Sequence, residues 1–275
     1  MYYVSLCIPY MQGLYPEEDQ IMKLLWSFAV TIAAAVIAHF VRVSFDYFLA
    51  DFFLRNAKMQ NDKELSANYG KKALDNTFKL LYHAGMVVYG GYVIWNTDCH
   101  HTWLGGKIDD RNLLQAFVNV GPDDFAIYIY CLVAHGYHLA CLLQHLVYGD
   151  PYNSDYEKLM LHHIATNVMM IVGNYTGHHR WSAVILLLHD AVDVFVSISR
   201  IFNSLEGTKM LAVYLGYIPL IFIYAYLKLF YFGWLCYANW FLSTYPPERA
   251  WMQKFMNCHA FFNTSLWVLH IIWYK

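Results

Sequence analysis

Long apolar runs with few polar interruptions alternate with shorter polar stretches along this chain. The runs fall at roughly 21–41, 76–95, 125–148, 157–175, 181–201, 211–236 and 255–273. Each is long enough to cross ~30 Å of hydrocarbon at ~1.5 Å of rise per helical residue. The pattern shows neither the alternation of a half-buried strand nor the narrow stripe of a surface helix, so the blocks read as spanning helices. The expectation is an all-α polytopic membrane protein with about seven transmembrane helices. Residues 42–75 and 96–124 read as long polar connections, the first holding Arg55, Lys58, Lys71 and Lys72, the second Gly105, Gly106, Gly121 and Pro122. The other connections are a few residues each, which makes consecutive late helices antiparallel neighbours. No internal repeat and no low-complexity stretch interrupts the series.

Composition strengthens the membrane reading. Of 275 residues, 59% are apolar and 14% charged, against ~45–50% and ~25% in ordinary soluble domains. Many of the 24 Tyr, 18 Phe and 9 Trp sit at block ends, where an amphipathic ring rests at headgroup level. A net charge of −2 suggests neither a nucleic-acid partner nor a polybasic lipid-docking patch. The six cysteines form no CxxC pair, and no disulfide framework is expected. The first residues have neither the basic start of a secretory signal nor the Arg-rich pattern of a transit peptide, so the first span itself would direct insertion. About 11 Lys and Arg fall on the face holding 42–75, 149–156, 202–210 and the C-terminus, against about 6 on the other. The positive-inside rule then places the N-terminus outside and the C-terminus inside.

Ionisable groups are expensive inside a span, so those that remain mark cavities or sites. Two stretches stand out: Asp155 to Thr166 with His162 and His163, and His189, Asp190 and Asp193. On a helix Asp190 and Asp193 share a face at i,i+3, as do His189 and Asp193 at i,i+4, and His162 and Thr166 lie one turn apart. Both stretches fall in the half of the membrane nearer the inside, where they would meet in one cytosol-facing pocket. Lys228, within the sixth block, would snorkel or face an interior cavity. His39, His83, His145 and His270 read as packed, hydrogen-bonded core histidines, and His100, His101, His178 and His179 as solvated loop residues. Asp193 has a structural reading too, an ion pair with Arg200 two turns on. Fourteen histidines invite a metal, and His135 and His138 share a helix face. No HxxHH box of the di-iron membrane enzymes occurs, however, and spacing does not select haem. Neither a metal nor a bound cofactor is expected.

At these residues the sequence resembles the TLC (TRAM, Lag and CLN) domain family, and within it the ceramide synthases. Asp155, Tyr156, His162, His163, Thr166, Tyr175, His189, Asp190 and Asp193 stand in the places of the family's paired motif, and Lys72 to Tyr82 is similar to the approach to its second helix. The resemblance spans roughly residues 65–240. It implies six helices in a barrel around a lipid-holding cavity, with the first span outside, dividing the chain at residues 1–64 and 65–275. It also implies transfer of an acyl group from acyl-CoA, as substrate, to a long-chain base, with an imidazole as nucleophile or general base and a carboxylate fixing its tautomer. His162, His163, Asp190 and Asp193 would be catalytic, and Thr166, Asn174, Tyr175, His189, Arg200 and Lys228 would contact substrate. The endoplasmic reticulum is the expected membrane, with the mitochondrial inner membrane as the alternative. Departures from the family pattern are Ser197 for a Glu, Arg200 for a Lys and Asn174 for a Ser. They suit a second reading, a catalytically silent lipid-holding accessory subunit or assembly factor among other membrane protein subunits.

Overall fold

The computed structural model describes residues 17–95, 124–149, 156–175, 179–241 and 250–274. Seven long helices are present among them: α1 (Glu17–Arg55), α2 (Lys63–Trp95), α3 (Asp124–Tyr148), α4 (Tyr156–Tyr175), α5 (His179–Ser204), α6 (Lys209–Phe241) and α7 (Ala250–Tyr274). Among the described residues the regular structure is helical, save for one isolated bridge between Ala57 and Leu205. Backbone groups satisfied within each helix are what a hydrocarbon solvent demands. Among the described residues four segments are both long and apolar enough to cross a membrane: Leu25–Arg55, Phe125–Tyr148, His179–Ser204 and Lys209–Phe241. The chain is an all-α integral membrane protein.

The polar connection expected at 42–75 is mostly helix. α1 continues to Arg55 and α2 begins at Lys63, because the charges there alternate with an apolar face. Phe45, Leu49 and Phe53 on α1 pack with Ala73 and Leu74 on α2 and with Leu205. Arg42 reaches Asp75 at 2.5 Å, and Lys79 reaches the other oxygen of the same carboxylate at 2.6 Å. Asp62 starts α2 as an N-cap, its Oδ1 accepting from the backbone N–H of Glu64 and Leu65 at 3.1 Å each. Gln60 donates back to the carbonyl of Ala57 at 2.7 Å and to that of Leu54 at 3.1 Å, satisfying the end of α1. Lys58 N donates to Ser204 O at 3.1 Å, and Glu206 N to Asn56 O at 3.1 Å, so the turn after α1 is tied to the turn after α5. The connection expected at 96–124 lies, except for Asp124, outside the described residues.

α6 is continuous but not uniformly α. Two π-helical tracts, Ala212–Tyr217 and Ala225–Tyr231, flank the α-helical Ile218–Tyr224, which carries Pro219 near its start. A proline removes a donor and crowds the preceding turn, and a widened turn relieves both. The second tract holds Lys228, buried.

The chain divides into two compact units. The first comprises Met1–Ala38, Tyr92–Leu186 and Phe232–Lys275, the second His39–Gly91 and Leu187–Tyr231. In the first, α1 lies close on α3: a Cβ at Gly136 would stand 2.6 Å from Ala34 Cβ and from Thr31 O. In the second, α6 lies close on α5, where a Cβ at Gly216 would stand 2.6 Å from Ser199 Cα. Glycine permits both approaches because nothing projects from its Cα.

Candidate functional site

The second unit gathers its ionisable groups into pairs between helices. Asp75, Lys79 and His83 recur every four residues on α2 and so share a face. His83 Nδ1 lies 2.7 Å from Asp190 Oδ1 on α5, with side-chain exposures of 8% and 2%. With Asp190 ionised, that contact places the ring proton on Nδ1 and leaves Nε2 as the basic nitrogen. One turn on, Asp193 accepts from Lys228 Nζ of α6 at 2.8 Å. The ammonium also lies 5.6 Å from the ring centroid of Tyr224, within cation–π range. Such burial is tolerable because each carboxylate has a hydrogen-bonding partner beside it.

These pairings decide two readings that the sequence left open. Asp193 pairs with Lys228, not Arg200, which is exposed. Lys228 does not snorkel: the π-helical turn carries it inward to a carboxylate. His83, read as a packed, hydrogen-bonded core histidine, is buried, and its bond goes to the motif carboxylate Asp190. Its signal in the sequence was the four-residue polar stripe on α2. His189 is half-buried on α5, and Ser197, where the family pattern has Glu, is buried.

In the first unit α4 displays the histidine pair among other imidazoles. His162 and His163 rings are 5.7 Å apart by centroids. His163 is 5.5 Å from His145 of α3, and His162 is 6.2 Å from His270 of α7. His145 stacks on Tyr156 at 4.5 Å, and its Nε2 lies 3.1 Å from the Tyr156 carbonyl. A carbonyl only accepts, so His145 carries its proton on Nε2. His270 is buried, with the Phe232 ring at 5.9 Å. Four imidazoles therefore form a row: His145, His163, His162, His270.

Thr166 and Asn167 lie one turn beyond the pair and are buried. The Asn167 amide donates to His163 O at 2.8 Å and to His138 O at 3.2 Å, fixing α4 against α3. Asn174 is buried near the end of α4, while the side chain of Tyr175 lies outside the described residues. So do Asp155, His100, His101 and His178. His179, expected in a solvated loop, begins α5 and is buried, accepting from Cys131 Sγ through its carbonyl at 3.3 Å. His39, expected in the core, is exposed. His135 and His138 lie on α3. Among the described residues no group of three or more His, Cys, Asp or Glu is placed to hold a metal ion.

The expected site residues thus fall into two sets. His162, His163, Thr166, Asn174 and Tyr175 belong to the first unit, and His189, Asp190, Asp193, Arg200 and Lys228 to the second. Chemically, the first offers imidazoles with defined neighbours, and the second offers an imidazole–carboxylate couple and a neutralised lysine.

The profile of the TLC domain matches residues 72–275 of this chain. ASC1-like protein 3 of Oryza sativa subsp. japonica is 24% identical over 233 residues, which is 82% of this chain and 76% of that protein. Ceramide synthase hyl-2 of Caenorhabditis elegans is 21% identical over 267 residues, 90% of this chain and 76% of the relative. Ceramide synthase 1 of Homo sapiens is 23% identical over 177 residues, covering 58% and 46% respectively.

Proposed function

From the premise that the chain belongs to the TLC domain family, we propose that it is a ceramide-synthase-like N-acyltransferase. It moves a fatty acyl group from acyl-CoA to the amine of a long-chain base within the membrane, the endoplasmic reticulum being the proposed location. The observation that carries the reading is the His162–His163 pair on α4, flanked by His145 and His270. In the transfer, a carbon–nitrogen bond forms at the acyl carbonyl and the carbon–sulfur bond to CoA breaks. The amine loses a proton and the leaving thiolate gains one. An imidazole serves either by carrying that proton as general base and acid, or by first accepting the acyl group itself. His162 or His163 fills this role, with Thr166 and Asn174 further along the same helix contacting the lipid. Asp190 contacts His83 Nδ1, and Lys228 donates to Asp193, so the second unit holds a defined arrangement of paired groups.

The direct experiment supplies the purified chain with acyl-CoA and sphinganine and looks for the amide by mass spectrometry. Wild type forms it, and His162→Ala and His163→Ala each lower the rate ~10²-fold or more, the scale of losing a positioned acid or base. A chain that takes up both substrates and forms no amide defeats the enzyme reading. The lipid-holding accessory subunit, favoured by the pairing of Asp193 with Lys228 and by Ser197 in place of Glu, then takes its place.

A further inference from the structure

Within the first unit, α3 and α4 are tied together at two levels. Near the end of α3, His145 Nε2 donates to the Tyr156 carbonyl at 3.1 Å. Two turns earlier on α3, the His138 carbonyl accepts from the Asn167 amide at 3.2 Å. Pairing 145 with 156 and 138 with 167 makes the two helices antiparallel. His163 stands between the ties, seven residues after Tyr156 and four before Asn167, spacings that keep all three near one face of α4. The Asn167 amide also donates to the His163 carbonyl at 2.8 Å.

The tie at His145 exceeds what the helix ends require. The orphaned groups at a helix start are N–H donors, whereas the first carbonyls already accept from the next turn. Tyr156 is the first residue of α4, so its carbonyl takes the imidazole proton on its second lone pair. Capping does not call for that bond. Nor does the turn that closes α3, where Gly149 N donates to the His145 carbonyl at 2.9 Å and leaves the side chain out. What the bond fixes is the plane of the imidazole. That ring stacks on Tyr156 with centroids 4.5 Å apart and planes at 22°. Gly149 permits the stack, because a Cβ there would stand 2.7 Å from Tyr156 Cε2 and against the His145 carbonyl oxygen. The same imidazole lies 5.5 Å from the His163 ring, at an interplanar angle of 54°. His163 is half-buried, and a side chain with two soft torsions keeps alternative rotamers until a fixed neighbour removes them. His145 is such a neighbour, since a bond and a stack both hold it.

We propose that His145 is a positioning residue for His163: bonded through Nε2–H to the Tyr156 carbonyl, it holds the start of α4 and sets the orientation of the His163 ring for acyl transfer. It acts through His163 and makes no bond to substrate. The inference deepens the acyl-transfer reading and rests on it for the reaction that His163 serves. A reacting group misplaced by ~1 Å loses up to ~10²-fold in rate. Such a loss falls on kcat and leaves KM, because substrate binding is untouched while the transition state is not.

The test measures amide formation from palmitoyl-CoA and sphinganine by the purified full-length chain. His145→Ala should lower kcat roughly ten- to hundredfold while KM for both substrates stays within about twofold. His145→Gln, whose Nε2 amide reaches the same carbonyl, should recover most of the rate, and His145→Phe, a ring without a donor, should stay slow. Wild-type kcat in His145→Ala, a change confined to KM, a fast Phe variant or a Gln variant as slow as Ala each overturns the inference and leaves the acyltransferase standing. Should the Ala and Phe variants not fold, His145→Gln decides alone: a kept kcat supports the inference and a lost one overturns it. A second measurement needs no turnover, namely nitrogen NMR of the chain labelled at its histidine ring nitrogens, in lipid bilayers. The His145 signals are those that the Gln variant lacks, and they should show one form, protonated at Nε2 and bare at Nδ1. Any other pattern overturns the inference. That single form in a chain that makes no amide keeps the hold of His145 on α4 and removes the acyltransferase reading instead.

Discussion

At the scale of single residues, the buried charges are pairs whose halves depend on each other. Removing one partner leaves the other desolvated and alone, which costs ~3–5 kcal/mol, whereas replacing both with apolar groups is often neutral. His83→Ala should therefore lower the unfolding temperature clearly in detergent, because Asp190 is 1% exposed and loses its contact with the imidazole. His83→Leu combined with Asp190→Leu should recover most of the loss. A single variant as stable as wild type would mean that the pair is not a structural couple. Ser197 tests the same logic in reverse. From sequence, restoring Glu there looks tolerable because Arg200 is near. The structure puts Ser197 at 3% exposure and leaves Arg200 exposed. Ser197→Glu should then destabilise the fold by ~2 kcal/mol or more through burial of an unmatched carboxylate, read as a lower unfolding temperature. His83 itself was legible only as part of the stripe Asp75, Lys79, His83; nothing local says that its partner lies 107 residues away on α5.

At the scale of helices, glycines decide how closely neighbours approach. Gly216 and Gly136 face other backbones, and an added Cβ would meet heavy atoms at 2.6 Å in each case. Gly216→Ala and Gly136→Ala should each cost ~1–3 kcal/mol by forcing α6 from α5 and α3 from α1. Gly85 and Gly91 on α2 have nothing within 4 Å of the corresponding point. Alanine there should be neutral or stabilising by up to ~1 kcal/mol, since it relieves the entropic penalty of glycine in a helix. Thermal unfolding of the four single variants would show the division, and equal effects across them would refute it. Sequence gave little warning of this difference, because all four glycines stand in similar apolar surroundings. The π-helical tracts of α6 were hidden for a related reason. Pro219 announces a disturbance, but which turn widens, and that Lys228 is thereby turned toward Asp193, depends on what α5 presents.

At the scale of the whole molecule, the turn after α1 and the turn after α5 are joined by backbone hydrogen bonds, Lys58 N to Ser204 O and Glu206 N to Asn56 O. They must therefore lie on the same side of the membrane. The Lys and Arg distribution leads to the expectation that this side is the inner one. Single cysteines introduced at Gln60 and Glu206, in a chain with its native cysteines replaced, should be labelled from the cytosolic side only. Labelling from opposite sides would break the bridge as well as the topology.

The sequence alone determined that the chain is helical and lies in a membrane, because the length and apolarity of a run answer directly to the thickness of hydrocarbon and the need to satisfy backbone groups. It also picked out His162, His163, Asp190 and Asp193, since ionisable residues are rare in such runs and their spacing survives in a linear motif. Only the tertiary structure decided their partners: His83 for Asp190, Lys228 for Asp193, and His145 and His270 for the histidine pair. It alone turned the polar stretch at 42–75 into helix and drew Asn239, His259 and Asn263 into one buried cluster. The physical reason is common to all of these. Periodicity shows which face of a helix is turned inward, but partner choice is fixed by the packing of one helix on another, which residues distant in sequence supply.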